Sequence, residues 1–222
     1  DACLNSATVV HTIRIQDTTA PTILGVIPVA TVEGCTAAAA PAAVTTVAAL
    51  EALGLTIADA CTLDANLTVT HSDSVAGTCP LVVTRTYTVK DACLNSATAV
   101  HTILVQDTTA PSITGSIPTT TVEGCTAAAA PAAVTTVAAL EALGLTITDA
   151  CTADVNLTVT HSDSAAGTCP LVITRTYTVK DACLNSATVV HTIRIQDTTA
   201  PTILGVIPVA TVEGCTAAAA PA

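Results

Sequence analysis

A repeat of 90 residues is the feature of this sequence that most constrains its fold. Residues 1–90 and 91–180 differ at only 13 positions, and residues 181–222 match residues 1–42 at every position. A period of this length is too long for one turn of a solenoid, but it fits one small domain per repeat. The sequence therefore predicts a tandem array of small, nearly identical domains.

The domain boundaries are predicted to fall at the segment QDTTAP, which occurs three times. It joins a strand-like run to a new start anchored by proline, as a junction between domains should. In this frame residues 17–106 and 107–196 are complete repeats. Residues 1–16 are then the last strand of a preceding repeat, and residues 197–222 are the first part of a following one.

Each repeat contains several short segments with the alternation of β-strands. In the first repeat we predict strands at Pro21–Pro28, Ala30–Gly34, Asn66–His71, Pro80–Lys90 and Ala97–Gln106. The segment Ala42–Gly54 breaks this pattern, and it is predicted to be a short helix because Pro41 suits its start and Gly54 its end. Several short strands with one helical crossover predict an all-β fold, a tandem array of immunoglobulin-like β-sandwiches.

Composition excludes several classes of partner. The net charge of −11 argues against binding to nucleic acid or to anionic membranes, which requires basic patches. No apolar run is long enough to predict a membrane span in this segment. The motifs GxSxG and HExxH and a phosphate-binding loop are all absent from the sequence, so we do not expect an enzyme. The acidic balance is compatible with cation binding.

Each complete repeat carries four cysteines, and none of them forms a CxxC zinc motif. An even number of cysteines in a small domain without Phe or Trp favours disulfides and an extracellular location. A straight strand over Pro80–Lys90 places Cys79 and Cys93 on the order of 40 Å apart, too far to bond. The preceding hairpin returns Cys61 to the end where Cys93 lies. We therefore predict the pairs Cys61–Cys93, Cys35–Cys79, Cys151–Cys183 and Cys125–Cys169.

The motifs TVEGC, TIADAC, GTCPLVVTRTYTVKDACLNSAT and QDTTAP together resemble hyalin-repeat-like (HYR-like) immunoglobulin-fold modules, which occur in tandem in very large bacterial surface proteins. The resemblance covers the whole 90-residue unit. It implies a sandwich fold, an extracellular location and a stalk, adhesive or fibre-forming role. One departure is that such modules usually have glycine where this sequence has Leu4, Leu94 and Leu184. A turn with positive φ would strain leucine there.

Calcium is the predicted cofactor. The predicted sandwich places the loops 59–64 and 91–95 at one end, beside Asp17, and places Asp73 at the other end, facing the next repeat. Ca²⁺ prefers six to eight oxygen ligands, and the DTTAP linker also resembles linkers of calcium-rigidified adhesin repeats. The candidate ligands at the junction are Asp73, Asp107, Asp149, Asp154, Asp181 and Asn185. The alternative is that these residues only form turns, which Asp favours without any metal.

The sequence favours a structural protein, either a surface stalk or a fibre that associates with itself. An adhesin that binds glycan or protein is the alternative, although each complete repeat has a single aromatic residue, Tyr87 or Tyr177, with which to contact a sugar. The two versions of the repeat differ most in their first strands. There Leu24, Val26, Val29 and Ala30 become Thr114, Ser116, Thr119 and Thr120. We expect the apolar version to bury a surface that the polar version leaves in water.

Overall fold

In a computed structural model, residues 2–211 and 213 are described. The rest of the predicted following repeat, at residues 212 and 214–222, lies outside the described residues. The strands and helix of the first repeat are β1 (Thr22–Gly25), β2 (Ala30–Glu33), α1 (Val47–Glu51), β3 (Leu55–Ala58), β4 (Thr68–Ala76), β5 (Leu81–Lys90) and β6 (Ser96–Gln106). Those of the second are β7 (Ser112–Gly115), β8 (Thr120–Glu123), α2 (Val137–Glu141), β9 (Leu145–Thr148), β10 (Thr158–Ala166), β11 (Leu171–Lys180) and β12 (Ser186–Gln196).

Each repeat consists of a four-stranded sheet and a two-stranded sheet. In the first repeat the strand order of the larger sheet is β2-β6-β5-β4, and β1 pairs with β3 in the smaller sheet. All pairs are antiparallel except β2 with β6, which is parallel. The second repeat has the same topology, with the orders β10-β11-β12-β8 and β7-β9. The predicted fold class is confirmed: two β-domains in tandem, each with a short helix.

The strand β5 supplies the centre of the first core because its alternate side chains point inward. Val83, Tyr87 and Val89 are each at most 1% exposed. Tyr87 packs with Leu50 of α1 and Ile57 of β3, and its hydroxyl accepts a hydrogen bond from the Val44 amide at 3.3 Å. The one large aromatic of each repeat is therefore used to join the helix and both sheets, which offsets the absence of Phe and Trp.

An arginine lies among these inward-facing residues. Arg85 is 5% exposed, and its guanidinium forms two bonds of 2.9 Å to the carboxylate of Asp73, directly opposite on β4. A third bond of 2.7 Å reaches the carbonyl of Pro41. The buried charge is thus paired and hydrogen-bonded, as burial requires. Arg175 makes the equivalent contacts with Asp163 and Pro131 in the second repeat.

The helix is shorter than the predicted range of residues 42–54. It begins after Thr46, whose backbone is extended and whose hydroxyl accepts a bond from the Ala49 amide at 3.3 Å. A capping threonine has non-helical dihedral angles, so the residues before it stay outside the helix. Gly54 follows the helix with a φ of 107°, in agreement with its predicted role at the end.

Identical sequence does not give identical structure at the beginning of the chain. Residues 6–16 have the same sequence as β12, but they contain no strand, and all of them are exposed. β12 forms because β11 and β8 supply hydrogen-bonding partners on both of its sides. A strand is a property of the pairing as well as of the residues.

The leucine that replaces glycine in the DAC loops does occupy a left-handed conformation. Both Leu94 and Leu184 have a φ of 72°. Each amide donates a bond of 3.3 Å to the carbonyl of the loop's first aspartate, Asp91 or Asp181. The tight turn is therefore kept with a side chain that disfavours it, which costs about 1 kcal/mol relative to glycine.

Candidate disulfide and metal site at the repeat junction

Both disulfides of the described structure connect one repeat to the other. Cys35 bonds with Cys151 at a Cα–Cα distance of 4.9 Å, and Cys79 bonds with Cys183 at 5.3 Å. The predicted pairings within a repeat are therefore wrong. Cys35–Cys79 and Cys151–Cys183 are excluded because all four cysteines bond across the junction. Cys61–Cys93 and Cys125–Cys169 are not formed, and these four residues are exposed thiols.

Strand register explains why the cysteines lie where they do. Cys35 follows β2 and Cys79 precedes β5, and both strand ends meet Val105 of β6, which pairs with Val32 and with Leu81. Cys93 follows the other end of β5, so it cannot reach Cys79, as the sequence predicts. The prediction placed the cysteines at the correct ends of the repeat. It was wrong in pairing two cysteines at the same end of one repeat. In the structure, two cysteines at one end of the first repeat bond with two at the facing end of the second.

Each repeat has two end faces that carry cysteines. The far-end face of a repeat carries Cys35 and Cys79 in the first repeat and Cys125 and Cys169 in the second. The near-end face carries Cys61 and Cys93 in the first repeat and Cys151 and Cys183 in the second. The junction joins the far-end face of the first repeat to the near-end face of the second.

The linker between the repeats is held by the end of β2. The carboxylate of Glu33 accepts bonds from the Thr108 amide at 3.0 Å and from the hydroxyls of Thr108 and Thr109. These hydrogen bonds lower the pKa of Glu33, and the bond from the Thr108 hydroxyl has the largest effect. The Gly34 amide also donates to the carbonyl of Gln106 at 3.2 Å. Sequence reasoning missed this contact, because a single glutamate at a strand end has no periodic or spacing signal.

Immediately beyond this contact, three aspartates gather. Asp107 of the linker, Asp149 after β9 and Asp181 after β11 each offer a carboxylate oxygen, and these oxygens lie within 4.8 Å of one another. The first repeat has the equivalent cluster of Asp17, Asp59 and Asp91. The sequence correctly places these three segments at one end of the sandwich. Each cluster lies wholly on the near-end face of its own repeat and its linker.

Backbone hydrogen bonds orient the carboxylates. One oxygen of Asp107 accepts the Thr109 amide at 3.0 Å, and one oxygen of Asp149 accepts the Thr152 amide at 2.6 Å. The second oxygen of Asp107 is buried without any hydrogen-bond partner, although the residue is only 3% exposed. In the first repeat the same is true of one oxygen of Asp17 and one of Asp59. A buried charged oxygen without a partner requires a compensating charge.

The pKa of Asp107 also indicates that the cluster needs a compensating positive charge. Burial raises the pKa of Asp107, and the charges of Asp149 and Asp181 raise it further, against the opposing Thr109 hydrogen bond. Oxygens that share one Ca²⁺ at about 2.4 Å lie at most about 4.8 Å apart, and the oxygens of each cluster lie within this limit. Oxygen-only ligands of this charge suit a hard divalent cation. The residues present therefore fit calcium.

Only half of the predicted ligands belong to this cluster. Asp107, Asp149 and Asp181 come together as expected. Asn185 lies beside them as a positioning residue, since its amide group donates to the Asp107 carbonyl at 3.0 Å and to the Asp181 carboxylate at 2.7 Å. Asp73 does not reach the junction, because β4 continues through it and pairs it with Arg85. Asp154 begins a short 3-10 helix, Asp154–Asn156, outside the cluster.

The unbonded thiols of the two outer faces lie beside carboxylates. The charge of Asp17 raises the pKa of the Cys61 thiol, and partial burial and Asp59 add to the effect. On the opposite outer face the Cys125 thiol donates to Asp197 at 3.7 Å, and the charge of Asp197 raises the pKa of that thiol. The neighbouring carboxylates therefore disfavour the thiolate form of both cysteines.

Comparison with known proteins adds little to this geometry. No protein-family model matches the chain, and no curated protein matches it, so the resemblance to hyalin-like repeats stays a prediction. Among solved structures, the extracellular domain of protocadherin gammaB4 is similar at 14% identity and a TM-score of 0.36. The similarity covers 80% of this chain and 34% of that chain, so this chain spans about a third of its length. These values are too low to transfer a property from that protein. Among the described residues, no helix is long and apolar enough to cross a membrane.

Proposed function

We propose that this chain is a structural segment of an extracellular stalk or fibre, in which immunoglobulin-like repeats 17–106 and 107–196 are joined rigidly end to end. The observation that carries the proposal is the pair of disulfides that cross the junction. Tandem domains joined by a single linker move relative to each other by default. Three covalent connections at separate points, the linker and two disulfides, remove that freedom.

The position of the disulfides supports a connecting role, because disulfides that only stabilise a domain need not cross a junction. Disulfides within a repeat would stabilise each small core just as well. Here each repeat instead uses two of its four cysteines for connection to the other repeat. The bonds also support an extracellular location, because disulfides persist in oxidising compartments.

Calcium is the second part of the proposal. We propose that Asp107, Asp149 and Asp181 bind one Ca²⁺ at the junction and that Asp17, Asp59 and Asp91 bind another. The buried, unpartnered oxygen of Asp107 supports this assignment. Glu33 of the first repeat holds the linker residues next to Asp107, so an ion bound there would fix the linker between both repeats.

Small-angle scattering of the chain, with electron microscopy of longer arrays, tests this function. With calcium and intact disulfides we expect one extended shape, at roughly 40 Å per repeat from strands of about ten residues at 3.3 Å each. Reduction should broaden the distribution of distances between the repeats, and chelation should do so to a smaller extent. Repeats that move as independent beads in the oxidised, calcium-loaded protein would refute the proposal.

An adhesin is the second candidate, and one observation favours it. In the first repeat Leu24, Val26 and Val29 are 61%, 81% and 60% exposed, where the second repeat has Thr or Ser. The expected burial of this apolar surface is not found between the described repeats. Glycan stacking has little support, because Tyr87 and Tyr177, the only aromatics of the sequence, are each 1% exposed. Binding to a glycan or protein array that the triple variant L24T/V26S/V29T loses would favour the adhesin.

A further inference from the structure

The first repeat contains a cavity of about 390 Å³ that the structural function does not use. Most of its lining is apolar and comes from the connection between β1 and β2 and from the segments before and after α1. Its polar lining residues lie in the larger sheet: Arg85, Tyr87 and His101. Ligand pockets usually have volumes of about 300–1,000 Å³. The cavity is therefore large enough for a small molecule.

One of the polar side chains that line the cavity has no hydrogen-bond partner. The imidazole of His101 is 7% exposed, and neither of its ring nitrogens forms a hydrogen bond with any described residue. Burial lowers the pKa of His101, and the charge of Arg85 lowers it further, which favours the neutral ring. A neutral imidazole has one nitrogen that donates and one that accepts. Leaving them unpaired in a buried position is unfavourable.

The second repeat shows which chemical group satisfies this imidazole. The equivalent His191 is 5% exposed, and its Nε2 lies 2.7 Å from the hydroxyl of Thr120. Nδ1 of both rings is buried without a partner, so the two histidines differ at Nε2. The first repeat has Ala30 in place of Thr120, and Ala30 lines the cavity together with His101. The first repeat therefore lacks the hydroxyl that its imidazole needs.

The two repeats differ at only two of the positions that line the cavity. Ten of the twelve lining residues are the same at the equivalent positions of the second repeat. The other two, Val29 and Ala30, are Thr119 and Thr120 in the second repeat. Both differences make the lining more apolar in the first repeat. A ligand that fits it needs an apolar body as well as a hydroxyl.

The charges around the cavity favour an uncharged ligand. The guanidinium of Arg85 is already paired with the carboxylate of Asp73 through two bonds of 2.9 Å. A ligand carboxylate would therefore enter a mostly apolar cavity without a free positive charge to compensate it, which is unfavourable.

We propose that this cavity binds a small, uncharged aliphatic alcohol. Its hydroxyl forms a hydrogen bond with Nε2 of His101 and takes the place of the Thr120 hydroxyl, and its aliphatic body packs against Val29, Val44 and Leu53. The inference goes beyond the structural function and does not depend on it, because the whole site lies within one repeat.

The test uses 1-hexanol as the probe and NMR of the whole chain with ¹⁵N-labelled histidine. We expect titration with 1-hexanol to shift the ring nitrogen signals of His101 until they saturate. His191 is a control within the same molecule, and its signals should not move. Hexanoate has the same number of carbons but carries a charge, so it should bind at least about tenfold more weakly.

Two double variants exchange the linings of the two repeats. Val29→Thr with Ala30→Thr gives the first repeat a lining that already occurs in the second, and it should abolish the response of His101. Thr119→Val with Thr120→Ala makes the reciprocal change, and it should produce a saturable response at His191. A response of His101 that is absent or does not saturate, equal responses of both histidines in the wild type, or a His191 that stays unresponsive in the second variant would each overturn the proposal.

Discussion

The near-end faces of the two repeats have almost the same sequence but differ in chemical state. In the second repeat Cys151 and Cys183 are bonded to the preceding repeat, and Asp107 is buried. In the first repeat the equivalent cysteines are thiols, and Asp17 is only half-buried. Yet the aspartate cluster is complete on both faces. The comparison teaches that the carboxylate cluster is a property of each repeat, whereas the disulfides are a property of the contact between repeats.

The largest effect is expected from removing the disulfides of the junction. The bonds join residues 116 and 104 positions apart, and closing one loop of this length contributes about 5 kcal/mol in the chain-entropy model. We expect Cys35→Ser with Cys79→Ser to lower the free energy of unfolding by several kcal/mol and to separate the unfolding of the two repeats in calorimetry. The matched control, Cys61→Ser with Cys93→Ser, should leave the melting curve unchanged. Equal behaviour of both variants would show that the bonds across the junction do not couple the repeats.

The ion pair between Asp73 and Arg85 should respond in the same way in both repeats, because it lies within one sheet. Asp73→Asn leaves the buried guanidinium without its charged partner, at a cost of about 2 kcal/mol after allowance for the partly exposed carboxylate. Asp163→Asn is the matched variant in the second repeat. Chemical denaturation of both variants checks the expectation. A cost confined to one repeat would mean that the neighbour, and not the sheet, holds the pair.

The ion pair between Asp73 and Arg85 also predicts that the stability of the folded state decreases at acidic pH. The hydrogen bond from Arg85, against the opposing effect of burial, lowers the pKa of Asp73, and Arg175 does the same for Asp163. The stabilisation is present above the ordinary pKa of about 3.9 and is lost as the pH falls through the lowered value in the folded state. Denaturation measured from pH 6 down to pH 2 should show this loss, and the Asp73→Asn variant should show less of it. An identical pH profile for wild type and variant would contradict the assignment.

Calcium binding tests the first half of the comparison directly. Two sites of the same composition predict two Ca²⁺ per chain, and Asp149→Asn or Asp59→Asn should each weaken one site by about tenfold or more, equivalent to about 1.4 kcal/mol. Titration calorimetry on each variant counts the sites. Because the cluster belongs to one repeat, the Cys35→Ser, Cys79→Ser variant should still bind two ions. Loss of one ion in that variant would make the cluster depend on the junction.

The smallest effect concerns a contact that the two versions of the repeat do not share. The Thr120 hydroxyl lies 2.7 Å from Nε2 of the buried His191, whereas the first repeat has Ala30, which has no hydroxyl, at the equivalent position. Thr120→Ala should cost about 1 kcal/mol, since it removes one buried hydrogen bond. The reciprocal Ala30→Thr should recover part of that amount in the first repeat. Thermal denaturation of the two variants checks both signs, and a stabilising Thr120→Ala would show that the bond has no net value.

Sequence reasoning succeeded where a local pattern decides the structure. The alternation of β5 and β6 and the capping signals around α1 predicted the strands, the helix and the cysteine positions at each end. It failed where the outcome depends on a neighbour. Nothing local distinguishes a bond from Cys35 to Cys79 from one to Cys151. Asp73 was misplaced because the segment SDSVAGT was interpreted as a turn, although cross-strand pairing with Arg85 keeps Asp73 in β4.

The interlocking positions of the two disulfides also determine what a break in the backbone does. A cut between Cys35 and Cys151 is spanned by the first bond, and a cut between Cys79 and Cys183 is spanned by the second. The two intervals overlap, so a protease that cleaves any one peptide bond from Cys35 to Cys183, including those of the linker, leaves the two fragments joined. The junction therefore tolerates single cleavages and separates only when cleavage is accompanied by reduction.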